Sequence, residues 1–241
     1  MSAGKGRIPY ASHPIVYGLV RYSVAILMRI FYRFQVTGLE NVPQEGPTIF
    51  AMNHLHLFDP AAAGAAIPRQ VVVMAADKWA DHWFVRLFLK GAGTIYVRRG
   101  EVDRNALRAC LQVLNAGGAM ALAPEGTRSR TGTLQRGKPG IAYLATRTQA
   151  VIVPVACWGV ERFRDWKRLK RPTCTVSIGA PFHLAESSGR ATTAQLQEYA
   201  DQVMIHIASL LPEHYRGVYA GLVTPETEEA DNVLAAAPAQ A

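Results

Sequence analysis

Short apolar runs alternate with stretches of helical spacing along most of the chain. Thr48–Met52 is continuously apolar apart from its first residue and predicts a buried strand. Asp59-Pro60 then predicts a helix start, since Asp caps a first turn and Pro fits the first helical position. Residues 70–74 (QVVVM) predict the next strand. Residues 79–90 predict a helix with Trp83, Phe84, Leu87 and Phe88 on its apolar face. Thr94–Val97 predicts a strand. A helix follows over 103–115, where Leu107, Cys110, Leu111 and Leu114 recur at helical spacing and Gly117-Gly118 ends it. Residues 119–123 predict a strand that gives way at Pro124 to a polar loop reaching Gly137. Gly140–Thr148 predicts a short helix, 151–157 and Thr173–Ile178 two strands, and 192–211 a long amphipathic helix stopped by Pro212.

Such alternation predicts a single α/β domain: a mixed, largely parallel sheet covered by helices. The expected organisation is an N-terminal amphipathic interfacial segment (1–34), one domain (35–224) and an acidic, Ala-rich disordered tail (225–241). In sheets of this kind ligands sit beyond the carboxyl ends of the strands. His54, Arg99 and Pro124-Glu125-Gly126 each follow a predicted strand, so they gather at one edge of the sheet.

The segment 13–34 is the most apolar stretch of helical length, and Arg21, Arg29 and Arg33 interrupt it. Crossing a bilayer takes an apolar run of about 20 residues. At about 100° per residue the three arginines fall within roughly 120° of one another. Ile15, Leu19, Tyr22, Ile26 and Ile30 fill the rest of the circumference. That pattern predicts a helix lying in a membrane interface; the alternative is an ordinary helix packed on its own domain. No secretory signal with a cleavage site is visible.

Composition adds a charge argument. The 241 residues are 49% hydrophobic, enough for a real core, and carry a net charge of +8. Glu226, Glu228, Glu229 and Asp231 are the only charged residues beyond Pro225, and without these four the remainder stands at +12. That body should be drawn to anions such as phosphates or acidic lipids. Cys110, Cys157 and Cys174 form no CxxC pair, which points to buried thiols rather than to a disulfide framework or a zinc cluster.

Four constellations carry chemistry. In Asn53-His54-Leu55-His56-Leu57-Phe58-Asp59, a carboxylate placed on the His54 ring would fix its tautomer and leave the other nitrogen free to take a proton from a hydroxyl. Pro124-Glu125-Gly126-Thr127-Arg128-Ser129 combines a glycine turn, a hydroxyl and an arginine, the makings of an anion cradle. Gly93 to Arg99 ends a strand in two arginines, and Arg136-Gly137-Lys138 precedes a helix N-terminus. Each alone reads more readily as a helix cap or a solvated turn. Together they surround one site with cations, which suits a phosphate-bearing substrate.

The chain resembles the 1-acylglycerol-3-phosphate acyltransferase family, the lysophosphatidic acid acyltransferases. That family carries an H-x4-D motif, a glycine-to-arginine motif, a PEGTRS-like motif and a V-P-V-like strand, in that order. Here they read His54…Asp59, Gly93…Arg99, Pro124 to Ser129 and Val153-Pro154-Val155. The resemblance implies that His54 is the base and Asp59 its orienting partner. It implies that Arg99, Glu125, Gly126, Thr127, Arg128 and Lys138 bind the glycerol phosphate. It further implies direct attack on an acyl thioester without metal, cofactor or covalent acyl-enzyme. The donor would be acyl-CoA or an acyl carrier protein, the acceptor lysophosphatidic acid, and the setting an anionic membrane surface on the cytoplasmic face, held peripherally or monotopically. Two positions depart from the family: His56 stands where Ser is frequent, and Arg98 where Asp is frequent.

Three other readings compete. The acceptor could be glycerol 3-phosphate or another lysophospholipid. A metal-dependent hydrolase is raised by His54-x-His56, but an H-x-H-x-D-H cluster would need Asp at 58 and His at 59, where Phe58 and Asp59 stand. A nucleic-acid partner is raised by a pI near 9.6, yet no nucleic-acid motif accompanies it, and none is expected. The basic run 162–171 reads instead as a surface for anionic lipid or an acidic carrier protein.

Overall fold

The computed structural model describes residues 7–98, 103–168, 170–185 and 191–232. Its strands are β1 (Arg33–Thr37), β2 (Thr48–Met52), β3 (Val72–Ala76), β4 (Thr94–Val97), β5 (Ala119–Leu122), β6 (Val151–Trp158) and β7 (Thr173–Ile178). The helices are α1 (Pro14–Phe31), α2 (Asp59–Ala66), α3 (Trp83–Ala92), α4 (Arg104–Asn115), α5 (Gly140–Thr148), α6 (Thr193–Ser209) and α7 (Pro225–Asn232). The strands make one sheet in the order β1-β7-β6-β2-β5-β3-β4. Every pairing is parallel except β6 with β7. The sheet is therefore mixed and largely parallel, as the alternation predicted.

β2 lies near the middle of the sheet, and all of its residues are buried. Its pleat divides the core in two. Ile49 and Ala51 face α4, α5 and α6, among Cys110, Val113, Met120, Leu144 and Met204. Phe50 and Met52 face α1 and α2, among Val24, Met28, Ala62, Ala63 and Val153. α2 is built largely of alanine, and Ala62, Ala63, Ala65 and Ala66 are buried. A capping box at Thr192 and Gln195 starts α6.

One arginine gathers the amino ends of three neighbouring strands. Arg69, just before β3, donates to the carbonyls of Pro43, Glu45 and Gly46 and to Thr48 Oγ1 ahead of and in β2, and to the Gly117 carbonyl ahead of β5.

The structure corrects several sequence expectations. The helix expected to reach residue 34 stops at Phe31, and β1 begins at Arg33, so Arg33 belongs to the sheet. The arginines therefore do not form one polar stripe. Arg21 sits on the protein side of α1, its Nε donating to the Ile67 carbonyl at 2.9 Å. α1 instead has two opposed apolar faces. Tyr17, Val24 and Met28 are buried on one, while Ile15, Leu19 and Tyr22, all more than 60% exposed, lie on the other with Ile26 and Ile30. The two sets stand roughly 180° apart on a helical projection.

The helix expected over 79–90 is a 3-10 turn at Asp77–Asp81 followed by α3, and its Trp83 and Leu87 point outward while Phe88 packs on the core. Part of the basic run 162–171 is structural. The Arg171 guanidinium donates to the carbonyls of Arg29 and Tyr32, closing the end of α1, and Trp166 Nε1 donates to the Phe31 carbonyl at 2.7 Å. Pro225–Asn232, assigned by sequence to the acidic tail, is helical as α7. Glu228 of that helix pairs with Arg216, an ion pair that a charge pattern read alone does not reveal.

Candidate active site

β2, β5, β3, β4 and β6 all run in one direction, so their carboxyl ends share an edge of the sheet. The chain leaving β2 passes through Asn53 and His54 and turns into α2 at Asp59. The chain leaving β5 passes through Pro124 into the turn 125–128. Because β2 and β5 are neighbours, these two segments lie side by side.

They are stitched together through the main chain of His54. Its N–H donates to Glu125 Oε1 at 2.9 Å, and its carbonyl accepts from Ser129 N at 2.8 Å. Glu125 Oε2 accepts from Gln135 N at 3.0 Å. The Glu125 carboxylate is thus turned inward and only 2% exposed, with both oxygens engaged by backbone donors. The resemblance counts Glu125 among the groups that bind the acceptor. Its geometry is that of an internal brace for the His54 loop. Burial pushes its carboxyl pKa up, and the two N–H donors oppose that shift.

The rest of the turn faces solvent. Gly126, Thr127 and Arg128 are exposed. Gly126 has a left-handed φ of +68°, and a Cβ there would meet Lys138 Nζ at 3.1 Å. A side chain at this position would be strained and would crowd the ammonium, so glycine allows Lys138 to lie over the turn. Lys138 N also donates to the Pro124 carbonyl, tying the start of α5 to the same loop. The structure therefore gathers His54, Asp59, Glu125, Gly126, Thr127, Arg128 and Lys138 at one edge. Arg99 lies outside the described residues. Its neighbour Arg98 lines a cleft of about 780 Å³ beside the end of β4, with Tyr96, Arg104 and Asn105.

Asp59 is 1% exposed. Its Oδ2 accepts from His56 N at 2.6 Å, while Oδ1 has no hydrogen-bond partner among the described residues. Burial pushes its pKa up to about 8; the N–H groups of His56 and Leu55 work against this, and the negative charges of Glu161 and Glu125 add to it. The sequence reading made Asp59 the cap before the helix. Phe58 holds that place, and Asp59 is the first residue of the helix, folding its carboxylate back over the loop that carries His54. His56 is half-buried and lies against Phe58 in a tilted ring contact, with centroids 5.8 Å apart and the planes at 44°. Burial lowers its pKa; the charge of Glu161 raises it and that of Arg128 lowers it. Among the described residues no group of three or more His, Cys, Asp or Glu is gathered as a metal site.

Two residues at this edge were not anticipated. Glu161 follows β6 and accepts from Tyr215 OH at 2.5 Å. Glu161 was findable, because it follows a strand whose carboxyl end lies at the same edge. Tyr215 arrives from a 3-10 turn after α6 and left no pattern in the sequence.

A family profile described as Acyltransferase matches residues 33–158. The chain belongs to the acyltransferase family. The match runs from β1 to the end of β6, so it contains every site residue inferred from sequence, and it leaves Glu161 and Tyr215 outside. Among curated proteins, the 1-acyl-sn-glycerol-3-phosphate acyltransferase of Borreliella burgdorferi is 30% identical over 53% of this chain and 52% of its own length. The chloroplastic enzyme LPAT1 of Arabidopsis thaliana is 28% identical over 55% of this chain and 38% of its own. The chain thus spans about half or less of the length of these relatives. Among solved structures, the 1-acyl-sn-glycerophosphate acyltransferase PlsC of Thermotoga maritima superposes with a TM-score of 0.59 at 20% identity, covering 78% of this chain and 77% of that one. This likeness establishes a shared fold.

Proposed function

We propose that this protein transfers a fatty acyl group from an acyl thioester to the free hydroxyl of 1-acylglycerol 3-phosphate, giving phosphatidic acid. The observation that carries the reading is the double tie of the His54 main chain to Glu125 and Ser129. It sets an imidazole beside a turn that presents Arg128 and Lys138. In this mechanism His54 takes the proton of the acceptor hydroxyl as its oxygen attacks the thioester carbonyl. Once ionised, the Asp59 carboxylate stabilises the imidazolium. The thiolate then leaves as the carbonyl re-forms, and the proton held by His54 passes to it. Arg128, Lys138 and Arg99 hold the phosphate, with Gly126 and Thr127 shaping the turn beneath it. Glu125 braces the base rather than touching substrate.

The donor, acyl-CoA or acyl carrier protein, is decided by assay. Crossing lysophosphatidic acid and glycerol 3-phosphate against both donors tests the whole reading. Transfer to lysophosphatidic acid in preference to glycerol 3-phosphate supports it, and the reverse preference overturns the acceptor assignment. Arg128→Ala is expected to raise the acceptor KM about tenfold or more with a smaller change in kcat, measured by steady-state kinetics at saturating donor. An unchanged acceptor KM would argue against a phosphate role.

We also place the protein on the cytoplasmic face of a membrane, through the outward apolar face of α1 and the neighbouring Trp83 and Leu87 of α3. α1 is long and apolar enough to cross a membrane by length and composition. One side of it is packed on α2, however, which favours a helix lying along the surface. Changing Leu19 and Ile26 together to Glu is expected to abolish co-sedimentation with vesicles containing anionic lipid while leaving the thermal melt intact. Undiminished vesicle binding by that variant would sink this assignment.

A further inference from the structure

We propose that Asn53 is the positioning residue of the catalytic loop: its side-chain amide replaces main-chain pairing between β2 and β6, so that the chain stays anchored to β6 while it leaves the ladder for the His54 loop. The inference rests on the reading of His54 as the base.

The register shows what Asn53 does. β2 and β6 pair in parallel from Thr48 opposite Val151 to Met52 opposite Val155. Continued two residues further, this register sets residue 54 opposite Cys157. In a regular parallel ladder the N–H and carbonyl of Cys157 would then bond the carbonyl of residue 53 and the N–H of residue 55. Both are bonded instead by one side chain. Cys157 N donates to Asn53 Oδ1 at 2.7 Å, and Asn53 Nδ2 donates to the Cys157 carbonyl at 2.8 Å. Asn53 and Cys157 are both fully buried, so these backbone groups have no recourse to water.

The substitution changes where the main chain can go. Had the ladder continued, residues 53 and 55 would both be bonded to β6 through their main chain. With the amide standing in, the chain can leave the ladder after Asn53, while His54 N and O, which the strand's alternation already directs away from β6, are held by Glu125 and Ser129 on the other side of β2. The base is thereby fixed from both flanks, through the preceding side chain toward β6 and through its own peptide groups toward the β5 loop. Asparagine fits this place for chemical reasons. It carries a donor and an acceptor in one plane, as a peptide group does. Aspartate would bring no donor and a buried charge, serine offers a single oxygen, and glutamine is one methylene too long. The anchor is invisible to substrate, so its loss should appear in the chemical step and not in acceptor binding.

The test compares Asn53→Asp and Asn53→Ser with His54→Gln in the full-length protein, using lysophosphatidic acid and an acyl thioester. Circular dichroism melts select assay temperatures at which each variant is folded, and the two Asn53 variants back each other up should one fail to fold. Misplacing a reacting group by about 1 Å costs on the order of 10²-fold in rate. The expected result is a fall in kcat of that size for the folded Asn53 variant, with the acceptor KM within about threefold of wild type. The acid limb of its kcat–pH profile should also move to lower pH, because a displaced imidazole loses the support of Asp59. A folded Asn53 variant with wild-type kcat and an unmoved acid limb, beside an inactive His54→Gln, overturns the positioning role alone. Full activity in His54→Gln overturns both the base and its positioning.

Discussion

Replacing His54 with alanine is expected to slow acyl transfer by about 10²–10⁴-fold while leaving the fold intact. The separation of the two effects follows from how this residue is held. Its main chain is tied through its N–H to Glu125 and its carbonyl to Ser129, and alanine keeps both. The imidazole itself is only half-buried, so little apolar surface is lost with it. Initial rates with lysophosphatidic acid and a thermal melt, run on the same preparation, check the claim. Activity near wild type would defeat the general-base mechanism; a collapsed melt would contradict the main-chain account of the loop.

Asp59→Asn is expected to do two opposite things. Transfer above pH 8, where Asp59 is ionised in the fold, should fall by about 10²-fold or more, because an amide cannot offset the charge that develops on His54. Stability, in contrast, should rise relative to wild type as the solution becomes more alkaline. Burial lifts the Asp59 pKa from 3.8 to about 8 in the folded protein. Below pH 4 both folded and unfolded chains hold the proton, and the group is neutral in effect. Between pH 4 and 8 the unfolded chain releases the proton and the folded chain keeps it, so wild-type stability declines as pH rises, by at most about 1.4 kcal/mol per pH unit. Above pH 8 the deficit is constant. Asparagine is isosteric, can accept from His56 N as the carboxylate does, and has no proton to lose. Denaturant melts of both proteins at pH 5 and pH 8 test this: the stability difference should swing toward the variant at the higher pH. A difference that stayed flat, or swung toward wild type, would show that Asp59 is ionised without penalty in the fold.

Much of the fold was legible because a buried parallel strand announces itself as an apolar run. Thr48–Met52, Thr94–Val97 and Thr173–Ile178 fall where those runs fall. β1 escaped because Arg33, Gln35 and Thr37 alternate with Phe34 and Val36 at a half-covered edge, directly after an apolar helix that masks the change of period. The burial of α1 was misjudged for a related reason: a helix apolar on two opposite sides does not declare which side meets the protein. Within the site, the residue types and their order placed His54, Glu125 and Arg128 at one edge of the sheet, and the structure gathers them there, since that inference needs only strand direction. The job of Glu125 did not follow from residue type. A carboxylate in a motif reads as chemistry, and only the positions of His54 N and Gln135 N reveal it as a brace. Asn53 likewise reads as a plain loop residue until the register with β6 is known.

The arginine at the opposite end of the sheet has a consequence for the site it never approaches. Arg69 levels the starts of β2 and β5, as a builder sets two posts on one footing. From that common level Thr48 pairs with Ala119 and Ala51 with Leu122, so both strands climb to nearly the same height before they end. Each strand residue adds about 3.3 Å of rise. One residue inserted into β5 would lift Glu125 and Ser129 by that amount past the backbone groups of His54 and turn alternate side chains to the wrong face. The meeting of the two loops is in this sense a matter of equal strand lengths measured from a shared base.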